Sequence, residues 1–262
     1  MIKYLLKNSI FNFRMLGLII LISLVLFFEL CVNESFFSNY LFGTTIIDAQ
    51  SLVCNVFALS IFTQLAGLFP GIAFGFSLLD ERNSGFLKYE LIRSTPMKYI
   101  KQKIFFTGLS GAITMIVPYI FLLIPVSFVG VGTTKEYHTA VLEKLAWGSI
   151  MYEWNGYLLI ALKGVLLILF GIMWAELTLL ISLFVKNRYV AFIIPYIIYE
   201  LLFFLNWKNG ILMAINPRYM LRYDVGNEYP LILPFFMFII YIALLDLIIL
   251  IVFRKQVKDG KC

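Results

Sequence analysis

Two acidic side chains stand deep inside otherwise apolar runs of this 262-residue chain, and they are the first candidates for chemistry. Glu176 lies ten residues before Lys186, about 15 Å along a helix, and Asp246 lies eight residues before Arg254, about 12 Å. At such depth in a membrane, a carboxyl group faces protein or a wet cavity. Each residue could therefore line a substrate path or hydrogen-bond between helices, and both interpretations stay open.

The sequence carries no pattern typical of an enzyme. It contains no G-x-x-x-x-G-K-[ST] phosphate loop, no H-E-x-x-H and no G-x-S-x-G, and its one histidine, His138, lies outside the apolar runs. An intramembrane aspartyl pair would lack its second member, because only Asp246 among the aspartates lies well inside a run. Cys31 and Cys54 are compatible with a pair near one membrane face, or with buried free thiols. We therefore expect no enzymatic activity, metal site or bound cofactor in this chain.

The composition indicates a polytopic membrane protein. The chain is 61% hydrophobic and 14% charged, which is too little charge to cover a water-soluble surface. A membrane core about 30 Å thick needs about 20 apolar helical residues. Six runs of roughly this length occur, and they predict an all-α membrane protein with six transmembrane helices in a single domain, residues 1–262. The runs extend from Met15 to Val32, Leu52 to Leu79, Ile104 to Val129, Tyr157 to Val185, Tyr189 to Leu205 and Leu231 to Phe253.

The positive charge is distributed unequally between the two sides of this layout. The segments on one side hold 15 of the Lys and Arg residues, and those on the other side hold 5. Lys and Arg are retained on the cytoplasmic side, so both termini and residues 80–103 are predicted to be cytoplasmic. The net charge of +6 then reports topology and not a nucleic-acid partner. We expect a multi-pass protein of the cytoplasmic membrane.

Two segments outside the six runs have amphipathic or broken patterns. In residues 1–14, Lys3, Lys7 and Arg14 share one side of a helix, which is typical of a helix lying in the inner membrane interface. A frayed start of the first span is the alternative; the absence of an A-x-A-like cleavage site favours a retained first helix. Gly210 and Pro217 interrupt residues 206–230, so this segment is not expected to cross the membrane as a helix. It is compatible with a re-entrant outer hairpin.

A charged segment separates the second and third runs. It holds nine charged residues between positions 80 and 103. The stretch FLKYELIR predicts one or two helical turns from Phe86 to Arg93, which must stop by Ser94 or Thr95 because Pro96 disfavours helix before it. Thr95 and Pro96 then predict the N-cap and first position of the next helix. The apolar residues of this helix-turn-helix favour a partner surface or the membrane interface, and a solvated basic loop is the alternative.

This segment resembles the cytoplasmic loop of type 2 ABC transporter permeases, the exporter class that moves drugs, peptides and polysaccharides. Residues 177–192 resemble the inner turn between spans four and five of that family, and the stretch AINPRYML resembles its outer stretch before the last span. The matching loop positions are Glu81, Arg82, Gly85, Leu87, Leu91, Ser94, Thr95, Pro96, Tyr99, Ile100 and Lys103.

The resemblance implies a coupling helix from Phe86 to Arg93 that docks on a separate ABC ATPase subunit, where ATP and magnesium bind. It also implies pairing with a second permease, identical or sister, in the lipid bilayer. We expect export of a peptide, a small hydrophobic molecule or a lipid-like cargo. The alternative is an ion-coupled secondary transporter that uses Glu176 and Asp246. The predicted ATPase-coupling residues are Glu81, Gly85, Phe86, Leu87, Glu90, Leu91, Arg93, Ser94, Thr95 and Pro96.

Overall fold

The computed structural model describes residues 9–10, 12–33, 53, 56–57, 61–129, 157–204, 216–221 and 232–259. These residues are almost entirely helical and contain no β-strand. The helices are α1 Phe13–Asn33, α2 Ile61–Leu65, α3 Phe69–Phe74, α4 Ser77–Asn83, α5 Phe86–Arg93, α6 Pro96–Val129, α7 Tyr157–Phe184, α8 Arg188–Phe204, α9 Pro217–Met220 and α10 Leu233–Lys258.

Four of these helices, α1, α6, α7 and α10, are long and apolar enough to cross a membrane. The prediction of an all-α membrane protein is confirmed at this level. The fifth predicted run corresponds to α8, which has 17 residues. Most of residues 1–14 and 206–230 lie outside the described ranges, so the interfacial helix and the re-entrant hairpin stay predictions.

The second predicted run is not one continuous helix in its described part. Residues 61–83 form α2, α3 and α4, with turns at residues 66–68 and 75–76. Pro70 opens α3, where its missing N–H is tolerated. The backbone at Leu68 and Gly75 nevertheless stays in the right-handed helical region, so the three helices follow one another as an interrupted helical path.

The tightest helix crossing lies between α6 and α7, which make the most extensive contact in the bundle. Gly111 of α6 and Gly171 of α7 lie against each other's backbone: a Cβ at either position would collide with the carbonyl of the other. Small residues let two helix backbones approach closely where lipid provides no hydrophobic driving force. This crossing brings the side chains that flank it, including Glu176, into the centre of the bundle.

The other long helices pack around this pair. One face of α1 is buried through Met15, Ile22, Leu26 and Leu30, and the opposite face is exposed. α10 is more peripheral and most of its apolar length is exposed, although Phe238 is buried in the central apolar cluster. Apolar residues remain on the outside of both helices, as expected for surfaces in contact with lipid.

Side-chain contacts bring several helix ends together at one end of the bundle. They join the starts of α1, α6 and α8 to α4, α5 and the ends of α7 and α10. Among the described residues, every lysine and arginine except Lys163 and Arg218 belongs to these segments. We call this the basic end.

Candidate functional site

The short helix α5 lies on the surface of the basic end, with its two faces in different surroundings. Leu87 is 2% exposed, and Leu91 packs against the same cluster as Leu87. Tyr89 and Ile92 point outward and are 68% and 83% exposed. Sequence reasoning had placed Leu87 and Leu91 among the residues that couple to a partner; in the structure Leu87 is buried against the chain's own helices and Leu91 is half-buried beside it.

Backbone geometry fixes both ends of α5. Gly85 precedes the helix with φ +75°, a left-handed conformation that suits glycine because it has no Cβ. Ser94 ends the helix in an extended conformation, as expected for a residue so close to Pro96. Its hydroxyl donates to the carbonyl of Glu90 at 2.9 Å. In the structure this helix runs from Phe86 to Arg93 and α6 begins at Pro96, the same positions that the sequence pattern gives.

The other predicted coupling residues divide between surface and interior. Arg93 and Thr95 are exposed, and Phe86, Glu90 and Pro96 are half-buried. Glu81, which belongs to α4, faces inward. The exposed surface of α5 is therefore made by Tyr89 and Ile92, flanked by the cations Lys88 and Arg93.

A buried ion pair connects α4 to α6. Lys103 Nζ lies 2.6 Å from Glu81 Oε1, and Tyr99 donates its hydroxyl to Glu81 Oε2. The side chain of Lys103 is fully buried and also lies 4.7 Å from the centre of the Phe74 ring. A buried charge must be paired, so these partners are needed to keep Lys103 in the interior. We call Glu81, Tyr99 and Lys103 the clasp.

A second set of bonds connects α4 to the end of α7. Arg82 donates to the carbonyls of Leu183, at 2.9 Å, and Val185. Gln256 of α10 donates to the same Leu183 carbonyl at 2.8 Å. The last carbonyls of a helix lack intrahelical partners, and a cation placed there also interacts favourably with the helix dipole. Arg82 therefore acts as a C-cap for α7 supplied by a distant segment.

An apolar cluster completes the connection between α5 and the ends of the long helices. Its buried members come from α4, α5, α6, α7 and α10, so burial of Leu87 ties the surface helix to four neighbours. Together with the clasp and Arg82, this cluster makes the basic end a single packed unit. The members are Leu78, Leu87, Tyr99, Ile100, Ile104, Leu179, Leu183, Ile249 and Phe253.

Glu176 and Asp246 lie on neighbouring helices, α7 and α10. Glu176 is 3% exposed, and Asp246 is half-buried on α10, which packs against α7. The Oε1 of Glu176 comes within 3.1 Å of the place where a Cβ on Gly108 would stand. Glu176 Oε2 and Asp246 Oδ1 have no hydrogen-bond partner in the described part of the chain. The structure thus places the two acids that the sequence singled out on neighbouring helices. One oxygen of each carboxyl group has no hydrogen-bond partner among the described residues.

Sequence reasoning missed another acid inside an apolar run. Glu29 of α1 is 3% exposed and accepts a hydrogen bond from the backbone N–H of Ile61 at 2.7 Å. A carboxylate at the first N–H of a helix satisfies a donor that has no partner within the helix. Its position inside the first apolar run is the sequence signal that could have singled it out.

Two further charged residues, Lys163 and Glu200, lie inside the fourth and fifth apolar runs, and the side chain of Lys163 does not reach the surface. Its side chain is fully buried, donates to the carbonyl of Leu221 and lies 4.9 Å from the centre of the Phe57 ring. Glu200 pairs at 3.0 Å with Arg218 of α9. These contacts fasten residues 216–221 to α7 and α8.

No described group of three or more His, Cys, Asp or Glu side chains could hold a metal ion. Cys31 forms no disulfide with another described residue, and Cys54 lies outside the described ranges. Comparison with protein-family models, with curated proteins and with solved structures found no match to this chain.

Proposed function

We propose that this chain is the membrane-spanning permease subunit of an ATP-driven exporter of the type 2 ABC class. The observation that carries the proposal is the setting of α5. It is a short surface helix whose inner face is packed into the ends of the long helices, and whose outer face presents Tyr89 and Ile92 between Lys88 and Arg93. Exposed apolar anchors with a charged rim are the chemistry of a modest protein interface.

The packing beneath α5 supports a role in force transmission. A docked subunit that pushes or pulls α5 acts through Leu87 on α4, α6, α7 and α10. Packed interiors have low compressibility and transmit strain, so the helix ends move as one body. ATP binding and hydrolysis, with magnesium, take place in the docked subunit, because this sequence contains no phosphate loop of its own.

The proposal includes six spans with both termini in the cytoplasm of a cell membrane. The interrupted path α2–α4 and the 17-residue α8 would be the second and fifth spans. The basic end would be cytoplasmic under the positive-inside rule. A second permease, identical or sister, would complete the transport path, and the cargo class would be a peptide, a small hydrophobic molecule or a lipid-like compound.

The test is co-purification of a tagged chain with its partner in mild detergent. We expect recovery of a P-loop ATPase at about one copy per permease, and its loss when Tyr89→Ala is combined with Ile92→Asp. Removing apolar anchors at the centre of an interface commonly costs about 2 kcal/mol or more, roughly thirtyfold in affinity. The matched control is Tyr189→Asp, since Tyr189 is 78% exposed at the same end but lies on α8.

Two results would contradict the proposal. One is recovery of the chain alone with transport intact. The other is equal loss of the partner in the Tyr189→Asp control, which would indicate a nonspecific basic surface. A Leu87→Asp variant is unsuitable for this test, because a charge at a position 2% exposed would unfold the basic end before it reported on docking.

A second candidate function is an ion-coupled secondary transporter, favoured by the unpartnered oxygens of Glu176 and Asp246. A carboxyl group buried in a membrane without a partner is suited to binding a proton or a cation. In proteoliposomes that contain this chain alone, this function predicts a proton flux under an imposed pH gradient. The flux should be lost in Glu176→Gln and Asp246→Asn, and absence of flux in the unchanged chain would exclude it.

A further inference from the structure

An apolar groove of about 540 Å³ opens between α1 and α6. Its volume falls within the 300–1,000 Å³ that is usual for small-molecule sites. The lining includes Ile20, Ser23 and Leu24 of α1 and Phe121 and Pro125 of α6, and no charged side chain takes part in it. The groove therefore offers a concave, uncharged surface between two long helices.

The groove lies at the depth of the membrane core. α1 and α6 are both long and apolar enough to cross a membrane. Ser23 lies nine residues after Arg14, about 14 Å along α1, which is near the middle of a hydrocarbon core about 30 Å thick. Ile20, Leu24 and Phe121 are each about half exposed or more, so the groove is open to the bilayer. An occupant that reaches it from the bilayer must be uncharged, because charge at this depth is costly.

One backbone acceptor beside the groove lacks its usual helical donor. Pro125 lies inside α6 and has no N–H, so it cannot close the helical hydrogen bond to the carbonyl of Phe121, four residues earlier. Both residues line the groove. A backbone carbonyl without a donor costs free energy in hydrocarbon, where no water replaces the missing bond. The groove thus combines an apolar surface with one point that favours a hydrogen-bond donor.

The nearby hydroxyl groups do not supply this donor. Ser23 Oγ donates to the carbonyl of Ile19 at 2.7 Å, and Ser127 Oγ donates to the carbonyl of Ile124 at 2.7 Å. We propose that the groove binds an uncharged, apolar small molecule that donates one hydrogen bond, from an O–H or N–H group, to the carbonyl of Phe121.

This inference rests on the proposed function only for the role of the bound molecule as cargo. Of the three cargo classes, it selects the small hydrophobic molecule. A phospholipid would bring a charged headgroup to the middle of the membrane, and a peptide would bring several backbone groups that need partners. Binding itself requires the membrane-embedded chain alone.

The experiment measures photo-crosslinking to the chain purified in uncharged detergent. The two probes are a diazirine derivative of 1-dodecanol and its methyl ether, which share an apolar chain and differ in the hydroxyl donor. We expect the alcohol to reach half-saturation at about fivefold lower concentration, as one net hydrogen bond provides, with crosslinks in α1 or α6. Pro125→Ala supplies the missing N–H and should make the two probes bind equally.

Two further variants separate the acceptor from general effects of proline and of shape. Pro118→Ala removes the other proline inside α6, which does not line the groove, and the preference for the alcohol should persist. Leu24→Trp fills the groove and should reduce crosslinking of both probes. Both proline variants keep the helix, because alanine is the better helix former. Equal affinity of the unchanged chain for the two probes would overturn the proposal, as would equal loss of preference in Pro118→Ala.

The outcome is separable from that of the co-purification test. A preference for the alcohol in a chain that recovers no ATPase would retain the site and overturn the exporter. Recovery of the ATPase by a chain that binds both probes equally would retain the exporter and overturn the site.

Discussion

At the scale of single residues, the clasp of Glu81, Tyr99 and Lys103 is the most consequential polar feature of the basic end. Its lysine is fully buried and its carboxylate is 13% exposed, so neither partner can return to water without movement of the chain. A pair of this kind is not strong evidence for net stability, because desolvation offsets much of the attraction. Its effect is to make α4 and α6 depend on each other.

The clasp can be tested by a double-mutant cycle. Glu81→Gln leaves Lys103 charged in the interior, and we expect it to reduce the free energy of unfolding by about 3–5 kcal/mol. Glu81→Gln combined with Lys103→Met removes both charges and should recover most of that loss. The measurement is equilibrium unfolding in mixed micelles with increasing dodecyl sulfate.

Asp80→Asn is the matched control for the clasp. Asp80 neighbours Glu81 and also pairs with cations, but its partners are more than 40% exposed, so the expected change is below about 1 kcal/mol. Comparable losses in Glu81→Gln and Asp80→Asn would show that the buried pair has no special role.

Sequence reasoning reached only part of this site. Glu81 and Lys103 were noticed because their spacing matches a family pattern, yet nothing in that spacing tells which way a side chain points. Leu87 and Leu91 illustrate the same limit: an apolar residue on an amphipathic helix can face a partner or the chain's own core, and only tertiary packing decides between them. Glu29 was overlooked because a single acid near the end of an apolar run does not interrupt it.

At the scale of helices, the α6–α7 crossing depends on having no side chain at two positions. In Gly111→Ala, the new methyl group would stand within 2.6 Å of Ala175 Cβ and closer still to the Gly171 carbonyl. Because backbone cannot move aside easily, we expect a loss of about 1–3 kcal/mol in unfolding free energy. Gly17→Ala on α1 is the control, since nothing lies within 4 Å of its added Cβ. An unchanged free energy of unfolding in Gly111→Ala would mean that the two helices can separate freely.

The turn before α5 gives a second test at this scale. Gly85 has φ +75°, where an alanine costs about 1–2 kcal/mol, while asparagine tolerates the left-handed region. Gly85→Ala should therefore loosen α5 and speed amide hydrogen exchange in residues 86–93. Gly85→Asn should leave exchange near the original rate. Open space around Gly85 excludes a steric clash as the explanation.

Helix positions were more predictable than helix continuity. Proline sets the start of α6 and the end of α5, so those bounds follow from local geometry. The interruptions in α2–α4 could not be read from hydropathy, because the run around Gly67, Gly71 and Gly75 is apolar throughout. Cβ atoms at these glycines would collide with Tyr199 or Thr178, so close approach to α7 and α8 shapes this path.

At the scale of the whole molecule, the proposed orientation predicts which residues an impermeant thiol reagent reaches. In a cysteine-free background, Thr95→Cys should react from the cytoplasmic side only, because Thr95 is exposed at the basic end. His138→Cys should react from the opposite side only. Labelling is measured in right-side-out and inverted membrane vesicles, and reaction of both positions from one side would contradict the layout.

The hydrogen bonds made by Arg82 also constrain the order in which contacts can form during synthesis of the chain. Its acceptors, the carbonyls of Leu183 and Val185, lie 101 and 103 residues further along the chain. The ribosome must therefore deliver all of α7 before Arg82 can fasten α4 to it, and a nascent chain that ends before Leu183 leaves Arg82 without these acceptors. The surface helix α5 is synthesised before α7 and α10, whose residues complete the apolar cluster around Leu87. A protease added to nascent chains stalled on the ribosome is expected to cut at α5 until the fourth predicted span has emerged.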